Sequence, residues 1–287
     1  MLGRHYWLLS LLTILVVALE PVAKGSGGGP TKVGFDLYRG YLIVVRGSAG
    51  PEKDLNFLLD TGVSNTVMDR RLAQKLRLVE LPGVLAGING RVAAGRAIAP
   101  SLQVGPTRRD DLPVVIEDLS FFQKALPVRI DAVIGLDVVG HGAFEIDYRS
   151  RQLNFGPLPS LKDSVRLRMS GGLPFVDAEL NQTSVHLILD TGASSLILFG
   201  PKTPTPASPV KISAVLQSSN TMGQFDGKSL WVRSLRLGQV EFQREPAFLV
   251  QSHPDATKDF DGLVSPALLG ITKVVIDLDQ GVVAFNR

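Results

Sequence analysis

One eight-residue pattern occurs twice in this chain, first as Phe57-Leu58-Leu59-Asp60-Thr61-Gly62-Val63-Ser64 and again as Leu187-Ile188-Leu189-Asp190-Thr191-Gly192-Ala193-Ser194. In both copies a short apolar run ends in a carboxylate, a hydroxyl and a glycine. An apolar run that stops at glycine predicts a buried strand that delivers its last side chains to a tight turn. A single Asp-Thr-Gly is also an ordinary turn sequence, but two copies behind matching runs predict two equivalent units.

The two copies bring the rest of the chain into register. Asp60 and Asp190 lie 130 positions apart, and the same spacing relates four further pairs: Asp131 and Asp261, Gly135 and Ser265, Asp147 and Asp277, and Phe155 and Phe285. Gly90 and Gly223 lie 133 positions apart, which an insertion and a compensating deletion in loops explain. A period this long with two copies predicts a duplicated domain and not a solenoid.

Composition favours an all-β fold. The chain has 287 residues, of which 45% are hydrophobic and 20% charged, enough for one large or two modest cores. Its 29 glycines and 18 prolines, with β-branched runs throughout, are typical of many strands joined by turns. We expect an N-terminal half at residues 33–157 and a C-terminal half at residues 158–287, joined near residues 156–163.

Several function classes are excluded by what the sequence lacks. It has no cysteine, which excludes disulfides, thiol catalysis and thiolate metal sites. Net charge is only +3. The sequence contains no basic cluster with interleaved aromatic residues, so we expect no nucleic-acid partner. Neither a Gly-x-Ser-x-Gly elbow nor a His-Glu-x-x-His motif occurs. The acidic run at 277–281 matches a hairpin turn of the first half, so we expect no metal and no cofactor.

The first residues are typical of a leader. Arg4 precedes an apolar stretch from Tyr6 to Leu19 that Glu20 and Pro21 end. Its length suits a signal peptide and falls short of the roughly 20 residues that a spanning helix needs. We expect a signal peptide at residues 1–25, a flexible glycine-rich leader at residues 26–32, and export to the periplasm or the extracellular space. The alternative is an uncleaved membrane anchor at residues 6–19.

Each half is expected to open with strands that lead into its Asp-Thr-Gly. The first half has a predicted strand at Tyr41–Val45 and a polar loop at Gly47–Asp54 before the strand into Asp60. The second half has a predicted strand at Pro174–Leu180 and a turn at Asn181-Gln182.

A helix is predicted after the first motif and not after the second. Asp69 is a suitable cap for a helix over Arg70–Leu78, with Leu72, Ala73 and Leu76 on one face. The matching part of the second half excludes a helix because it contains four prolines: Pro201, Pro204, Pro206 and Pro209.

Two aspartates from equivalent turns can perform a specific chemistry. Two carboxylates within about 3 Å of each other cannot both ionise, so they share one proton and titrate as a pair. The ionised one can take a proton from water, and the protonated one can donate to a carbonyl oxygen. Gly62 and Gly192 would allow the two backbones to approach where a β-carbon would clash. The pattern therefore predicts peptide-bond hydrolysis without a covalent intermediate.

With these residues the sequence resembles the retropepsin-like and pepsin-like aspartic proteases over nearly all of the chain after the leader. In that family each half carries Asp-Thr-Gly and, later, two apolar residues followed by glycine, which Val133-Ile134-Gly135 fits. The stretch from Asp131 to Asp137, followed by Phe144-Glu145-Ile146-Asp147-Tyr148, is similar to the bacterial retropepsin-like branch.

The resemblance implies a fold and a set of site residues. The fold would be two similar β-barrel domains with a cleft between them, and Asp60 and Asp190 would be catalytic. Thr61 and Thr191 would cross-brace the active-site loops, which also contain Gly62, Ser64, Gly192 and Ser194. A β-hairpin flap would cover the substrate, with tips at Ile88, Asn89 and Gly90 and at Met222 and Gly223, and Gly135 and Ser265 would support the loops.

Three features depart from the family pattern. Ser265 follows Leu263-Val264 where the second half should have glycine, and no tyrosine lies near either flap. Val63 and Ala193 stand where pepsins carry a hydroxyl that bonds the outer carboxylate oxygen. The last two features favour a retropepsin-like protein fused into one chain. Without that hydroxyl we expect a bell-shaped rate profile at roughly pH 4 to 6.

The expected protein is an exported, monomeric aspartic endopeptidase that acts on peptides or proteins and uses water as its nucleophile. One alternative is a peptide-binding protein that has lost turnover, which Ser265 and the second half without a helix would favour. Retention of both aspartates argues against it, because a binder has no use for two adjacent like charges. A structural envelope protein held by an anchored leader is a third possibility.

Overall fold

The structure is a computed structural model, and it describes residues 31–87, 90–158, 160–200, 215–220, 223–251 and 258–287. Within these ranges the chain is mostly strand, which confirms the all-β prediction. The first ten strands are β1 (Thr31–Tyr38), β2 (Leu42–Ala49), β3 (Glu52–Leu59), β4 (Val67–Asp69), β5 (Leu81–Gly87), β6 (Gly90–Val104), β7 (Thr107–Glu117), β8 (Ala132–Ile134), β9 (Ala143–Asp147) and β10 (Gln152–Phe155). The next ten are β11 (Asp163–Ser170), β12 (Leu173–Leu180), β13 (Thr183–Leu189), β14 (Leu196–Gly200), β15 (Val215–Asn220), β16 (Gly223–Leu237), β17 (Val240–Gln251), β18 (Gly262–Val264), β19 (Lys273–Asp277) and β20 (Val282–Asn286).

Helical segments in the described ranges are short: α1 (Arg70–Lys75), α2 (Leu136–Val139), and two 3-10 turns at Ser120–Lys124 and Ala267–Leu269. None of these helices is long and apolar enough to cross a membrane. The predicted signal peptide, most of the leader and the proline-rich segment at 201–214 lie outside the described residues. Strand β1 begins at Thr31, two residues inside the range expected to be flexible leader.

Strand pairing in the second ten strands repeats that of the first ten. β3 runs parallel to β8 and antiparallel to β2, and β13 runs parallel to β18 and antiparallel to β12. β4 is parallel to β7 and antiparallel to β8, as β14 is to β17 and β18. The hairpins β5–β6 and β15–β16 also correspond. The sequence repeat therefore has a counterpart in topology.

One sheet joins the two sets of strands. Its order is β1-β10-β9-β19-β20-β11, and every neighbouring pair is antiparallel. β9 and β19 lie at its centre, where Glu145 is the direct partner of Val275. Because β9 and β19 occupy equivalent places in the repeat, the join relates the halves by an approximate two-fold axis.

β3 and β13 are buried on both faces. Phe57, Leu58 and Leu59 are fully buried in β3, which has a neighbour on each side. A strand in that position needs a continuous apolar run and not an alternating one, which is what precedes Asp60 in the sequence. The run thus fixes a rigid strand whose next residue is the first aspartate.

Helix α1 begins as predicted and ends earlier. Asp69 is the N-cap, and its side chain accepts a hydrogen bond from the Arg71 backbone. The predicted end at Leu78 is wrong because Arg77 adopts a left-handed conformation (φ 54°). The amides of Arg77 and Leu78 donate to Gln74 and Ala73, which closes the helix with a Schellman motif.

The predicted polar loop at Gly47–Asp54 is also wrong. β2 continues to Ala49, and β3 begins at Glu52. A β-carbon on Gly47 would overlap the Phe57 ring, and the strand register shifts between Gly47 and Ala49. The glycine signals a bulge over an aromatic ring and not a loop. In the second half the turn at Asn181-Gln182 is confirmed, with φ of 48° and 70°.

Candidate active site

The ends of β3 and β13 carry the two aspartates to matching positions. The Asp60 amide donates to the Ile134 carbonyl at 2.9 Å, and the Asp190 amide donates to the Val264 carbonyl at 2.9 Å. Both carboxyls are fully buried. Each aspartate is therefore held by the end of the parallel strand beside it, β8 in one half and β18 in the other.

The two Asp-Thr-Gly turns face each other at close range. The Gly62 amide donates to Oδ1 of Asp60 at 2.8 Å, and the Gly192 amide donates to Oδ1 of Asp190 at 2.7 Å. A β-carbon on Gly62 would lie 2.6 Å from Cγ of Asp190, and one on Gly192 would lie 2.6 Å from Cγ of Asp60. Any side chain at either glycine would overlap the opposite carboxyl, so this approach requires glycine.

The threonines of the two turns hold each other in place. The Thr61 hydroxyl donates to the Leu189 carbonyl at 2.6 Å, and the Thr191 hydroxyl donates to the Leu59 carbonyl at 3.0 Å. Each hydroxyl also accepts the backbone amide of the other threonine, at 3.0 and 3.1 Å. The cross-brace implied by the family resemblance is therefore present as four buried hydrogen bonds.

Burial opposes ionisation of both acids. The pKa of Asp60 is raised well above its usual range, first by burial and then by the negative charge of Asp190. Burial raises the pKa of Asp190 to about 6, although amides of its own turn favour the charged form. Because the two sites are nearly equivalent, the retained proton belongs to the pair and not to one residue.

The outer oxygens of the pair lack a protein donor. Among the described residues, Oδ2 of Asp60 and Oδ2 of Asp190 are buried and have no hydrogen-bond partner. Val63 and Ala193, the residues after the turns, are buried apolar side chains that offer none. The missing hydroxyls noted in the sequence thus correspond to two buried acceptor oxygens that the residues after the turns leave without a partner.

The two loop serines differ in their surroundings. Ser64 is half-buried, and its hydroxyl donates to Oδ1 of Asn65 at 3.2 Å. A β-carbon on Gly172, in the turn between β11 and β12, would lie 2.9 Å from Cβ of Ser64. Ser194 is half-buried, and its hydroxyl oxygen is buried without a partner in the described part of the chain. Ser64 is therefore packed against a turn of the opposite half.

Gly135 and Ser265 occupy equivalent positions below the two loops. A β-carbon on Gly135 would lie 2.8 Å from Cγ2 of Val63 and would overlap the Val63 carbonyl oxygen. Ser265 is buried, and its hydroxyl has no partner among the described residues. The second half accommodates a side chain where the first half cannot.

One residue near the site was not singled out from the sequence. Asp137 accepts hydrogen bonds from the amides of Thr66 and Gly135, at 2.6 and 3.2 Å. Burial raises its pKa to about 6, against the hydrogen bonds that lower it. The available signal was an acid within the apolar stretch after Gly135, matched by Ala267 in the second half.

The two hairpins predicted to be flaps, β5–β6 and β15–β16, are both paired antiparallel along their backbones. Gly87 pairs with Gly90, and Asn220 pairs with Gly223, at the ends of the two hairpins. Of the predicted tip residues, Ile88, Asn89 and Met222 lie outside the described residues.

No group of three or more His, Cys, Asp or Glu side chains within the described ranges is arranged to hold a metal. The run at 277–281 forms the turn between β19 and β20, where Asp277 accepts a hydrogen bond from the Gln280 amide at 2.9 Å. The candidate site is therefore a pair of buried acids, each in a turn that contains glycine, with two threonines that hold the turns together.

Comparison with known protein families gives a match to the N-terminal half of the chain. Comparison with curated proteins gives no match. Residues 45–138, which include Asp60, Gly62 and Gly135, match the model of the aspartyl protease family. This match supports an aspartyl protease family for the chain.

Proposed function

We propose that this chain is an aspartic endopeptidase with a single active site that combines Asp60 and Asp190. The observation that carries the proposal is the approach of each carboxyl to the glycine of the opposite turn, within 2.6 Å of where a β-carbon would stand. Two buried acids this close can hold one proton between them. The protonated carboxyl can then act as a general acid and the ionised one as a general base on the same peptide bond.

Hydrolysis follows from that one shared proton. The ionised carboxyl takes a proton from a water molecule, whose oxygen attacks the peptide carbonyl carbon while the protonated carboxyl donates to the carbonyl oxygen. The carboxyl that took the water proton then donates it to the peptide nitrogen, the other carboxyl takes a proton back from a hydroxyl of the tetrahedral intermediate, and the C–N bond breaks. One water is consumed, and the pair again holds one proton.

The surrounding contacts suit this role because they fix the acids before substrate binds. Thr61 and Thr191 tie the turns together, and each Oδ1 is already occupied by the amide of its own turn. The unpartnered Oδ2 atoms are the free positions for water and substrate. Groups that are already oriented need no rearrangement at the moment of reaction.

We further propose that the chain is a fused pair of retropepsin-like halves and works as a monomer. The repeated strand pairing supports duplication, and the β9–β19 join supports assembly within one chain. There, Nζ of Lys273 lies 2.9 Å from Oδ2 of Asp147 and 3.8 Å from Oε1 of Glu145. If β9 paired instead with β9 of a second chain in the same register, Glu145 would face Glu145, and like charges directly opposite are destabilising.

The substrates would be peptides or proteins met outside the cytoplasm. That part of the proposal rests on residues 1–25, whose pattern is typical of an export signal. A retained anchor at residues 6–19 would keep the same activity at a membrane surface.

A peptide-binding protein without turnover is the alternative. Ser265 motivates it, yet the Asp190 amide bonds the Val264 carbonyl at the same 2.9 Å as its counterpart in the first half. The serine therefore leaves this attachment of Asp190 to β18 intact. Burial of two like charges is also costly, which favours a protein that uses them.

The test is cleavage of a diverse peptide mixture by the purified chain, with and without pepstatin. We expect cleavage that Asp60→Asn and Asp190→Asn abolish. Asp110→Asn is the matched control, because Asp110 is an exposed surface acid that pairs with Arg108. Cleavage that survives in both site variants would contradict the proposal, and peptide binding without cleavage by the wild type would favour the alternative.

A further inference from the structure

We propose that Asp137 is a positioning residue that holds the Asp60 turn in its working geometry, and that the second half lacks this device. The inference deepens the proposed function and rests on it for the catalytic consequence. Its structural part, that Asp137 holds the loop from Asp60 to Thr66, stands on hydrogen bonds and packing alone.

The loop from Asp60 to Thr66 is attached at both ends to one short segment. At its start the Asp60 amide donates to the Ile134 carbonyl at 2.9 Å. At its end the Thr66 amide donates to Oδ2 of Asp137 at 2.6 Å. Ile134 and Asp137 lie three residues apart, so this four-residue segment spans the loop like a clamp.

The middle of the clamp is in direct contact with the loop. Gly135 packs against Val63 so closely that a β-carbon would lie 2.8 Å from Cγ2 of Val63. Oδ1 of Asp137 accepts the Gly135 amide at 3.2 Å, which fixes the carboxyl relative to the segment that carries it. A charged acceptor shared between two amides holds both more strongly than a neutral one would.

The C-terminal half attaches the start of its loop to the neighbouring strand but has no carboxyl to attach the end of the loop. The Asp190 amide donates to the Val264 carbonyl, but Ala267 stands where the first half has Asp137, and Leu196 stands where it has Thr66. An alanine side chain cannot accept a hydrogen bond. Ser265 replaces Gly135 in the same segment, so the contact with the loop is also different. The carboxylate clamp is therefore confined to the Asp60 side of the pair.

This asymmetry gives the two aspartates different support. The loop that follows Asp60 is held by the buried Asp137 carboxyl and by close packing at Gly135, whereas the loop that follows Asp190 depends on β18, the cross-brace and apolar packing. Loss of the clamp should displace Asp60 without removing any group that touches substrate. Displacement of a reacting group by about 1 Å can lower a rate by about 100-fold.

The experiment compares Asp137→Ala and Asp137→Asn with Asp131→Asn. Asp131 is a matched control: it is a buried acid one residue before β8, it accepts the Asn56 amide at 2.9 Å, and it pairs with Arg71. Amide hydrogen exchange is measured for residues 60–66 and 190–196, and kcat and KM are measured on one cleaved peptide.

For Asp137→Ala we expect exchange in residues 60–66 to accelerate by about 10-fold or more while residues 190–196 are unchanged. We expect kcat to fall by about 10- to 100-fold with KM nearly constant. Asp137→Asn keeps one acceptor oxygen for the Thr66 amide and should show a smaller effect on both readouts. Asp131→Asn should leave both readouts at the wild-type value.

Unchanged exchange in residues 60–66 of a folded variant would overturn the inference, as would equal effects from Asp131→Asn. If Asp137→Ala does not fold, the same two readouts on Asp137→Asn decide the matter. A wild-type chain without Asp60-dependent cleavage would refute the proposed function, and the exchange measurement would still test the clamp.

Discussion

The hydroxyl of Thr61 lies 2.6 Å from the carbonyl oxygen of Leu189, the residue that precedes the aspartate of the other half. Together with its counterpart from Thr191 to Leu59, this bond makes each half help to position the strand that leads into the opposite aspartate. The pair of aspartates is therefore a joint product of the two halves.

Removal of either threonine hydroxyl should loosen the whole site. Thr61→Val keeps the shape but leaves the Leu189 carbonyl and the Thr191 amide without their partner, which costs about 1–3 kcal/mol per buried group. We expect a lower melting temperature and a strong loss of turnover. Thr61→Ser, which keeps the hydroxyl, is the control and should retain most of both. Equal loss in the two variants would show that the methyl group and not the hydrogen bond matters.

Alanine at the turn glycines should abolish turnover. Its β-carbon at Gly192 would overlap the Asp60 carboxyl, so the two acids would be forced apart and the shared proton lost. Gly34→Ala is the control, since a β-carbon there meets nothing within 4 Å. Activity and circular dichroism on both variants check the prediction, and a fully active Gly192→Ala would contradict the close approach of the turns.

Gly135 and Ser265 should respond differently when each is replaced by the residue found at the other position. Ser265→Gly removes a buried hydroxyl without a partner and should leave the free energy of unfolding unchanged or slightly raised. Gly135→Ser places a side chain against Val63 and should destabilise by about 1–3 kcal/mol. Thermal melts of the two variants measure the difference. Equal, small shifts would mean that the two positions are not structurally equivalent.

The close approach of Asp60 and Asp190 and the threonine brace could be predicted from the sequence because the repeat is visible at the residues that form them. Asp60 and Asp190 are spaced equally from matching apolar runs, and each is followed by the threonine and glycine that its geometry requires. A buried strand and a tight turn are local features, and their chemistry can be read without the fold.

The remaining features depend on contacts between distant segments. The hydrogen bond from Thr66 to Asp137 exists because β3 and β8 run parallel, and no local pattern marks the two residues as partners. Gly47 was interpreted as a loop glycine, whereas the Phe57 ring beneath it is the reason for its size. The prediction that the helix continues beyond Lys75 was wrong because Arg77 takes a conformation that arginine seldom adopts.

The pH dependence of turnover should follow the shared proton. The pKa of Asp190 is raised to about 6, and that of Asp60 is raised well above its usual range. Well below pH 6 both acids are protonated and no base is present, so turnover should rise as the first proton leaves and fall after the second leaves.

This places the acidic limb at about pH 6 and the rate maximum above it, which is higher than the maximum at roughly pH 4 to 6 expected from the sequence, because burial of both acids opposes ionisation. Initial rates across a pH series measure the profile. A rate that is maximal near about pH 2 would contradict it, because that would require a strongly lowered pKa for one acid.

The most direct test of the central claim is turnover of Asp60→Asn, Asp190→Asn and the double variant, with molar mass measured by light scattering on the same samples. A single site built from both halves predicts a monomer, no turnover in either single variant, and a double variant scarcely worse than each, because the two acids act as one unit. A dimer with one Asp60–Asp60 site and one Asp190–Asp190 site would keep activity in each single variant. Substantial turnover in either single variant, with a dimeric mass, would contradict the account.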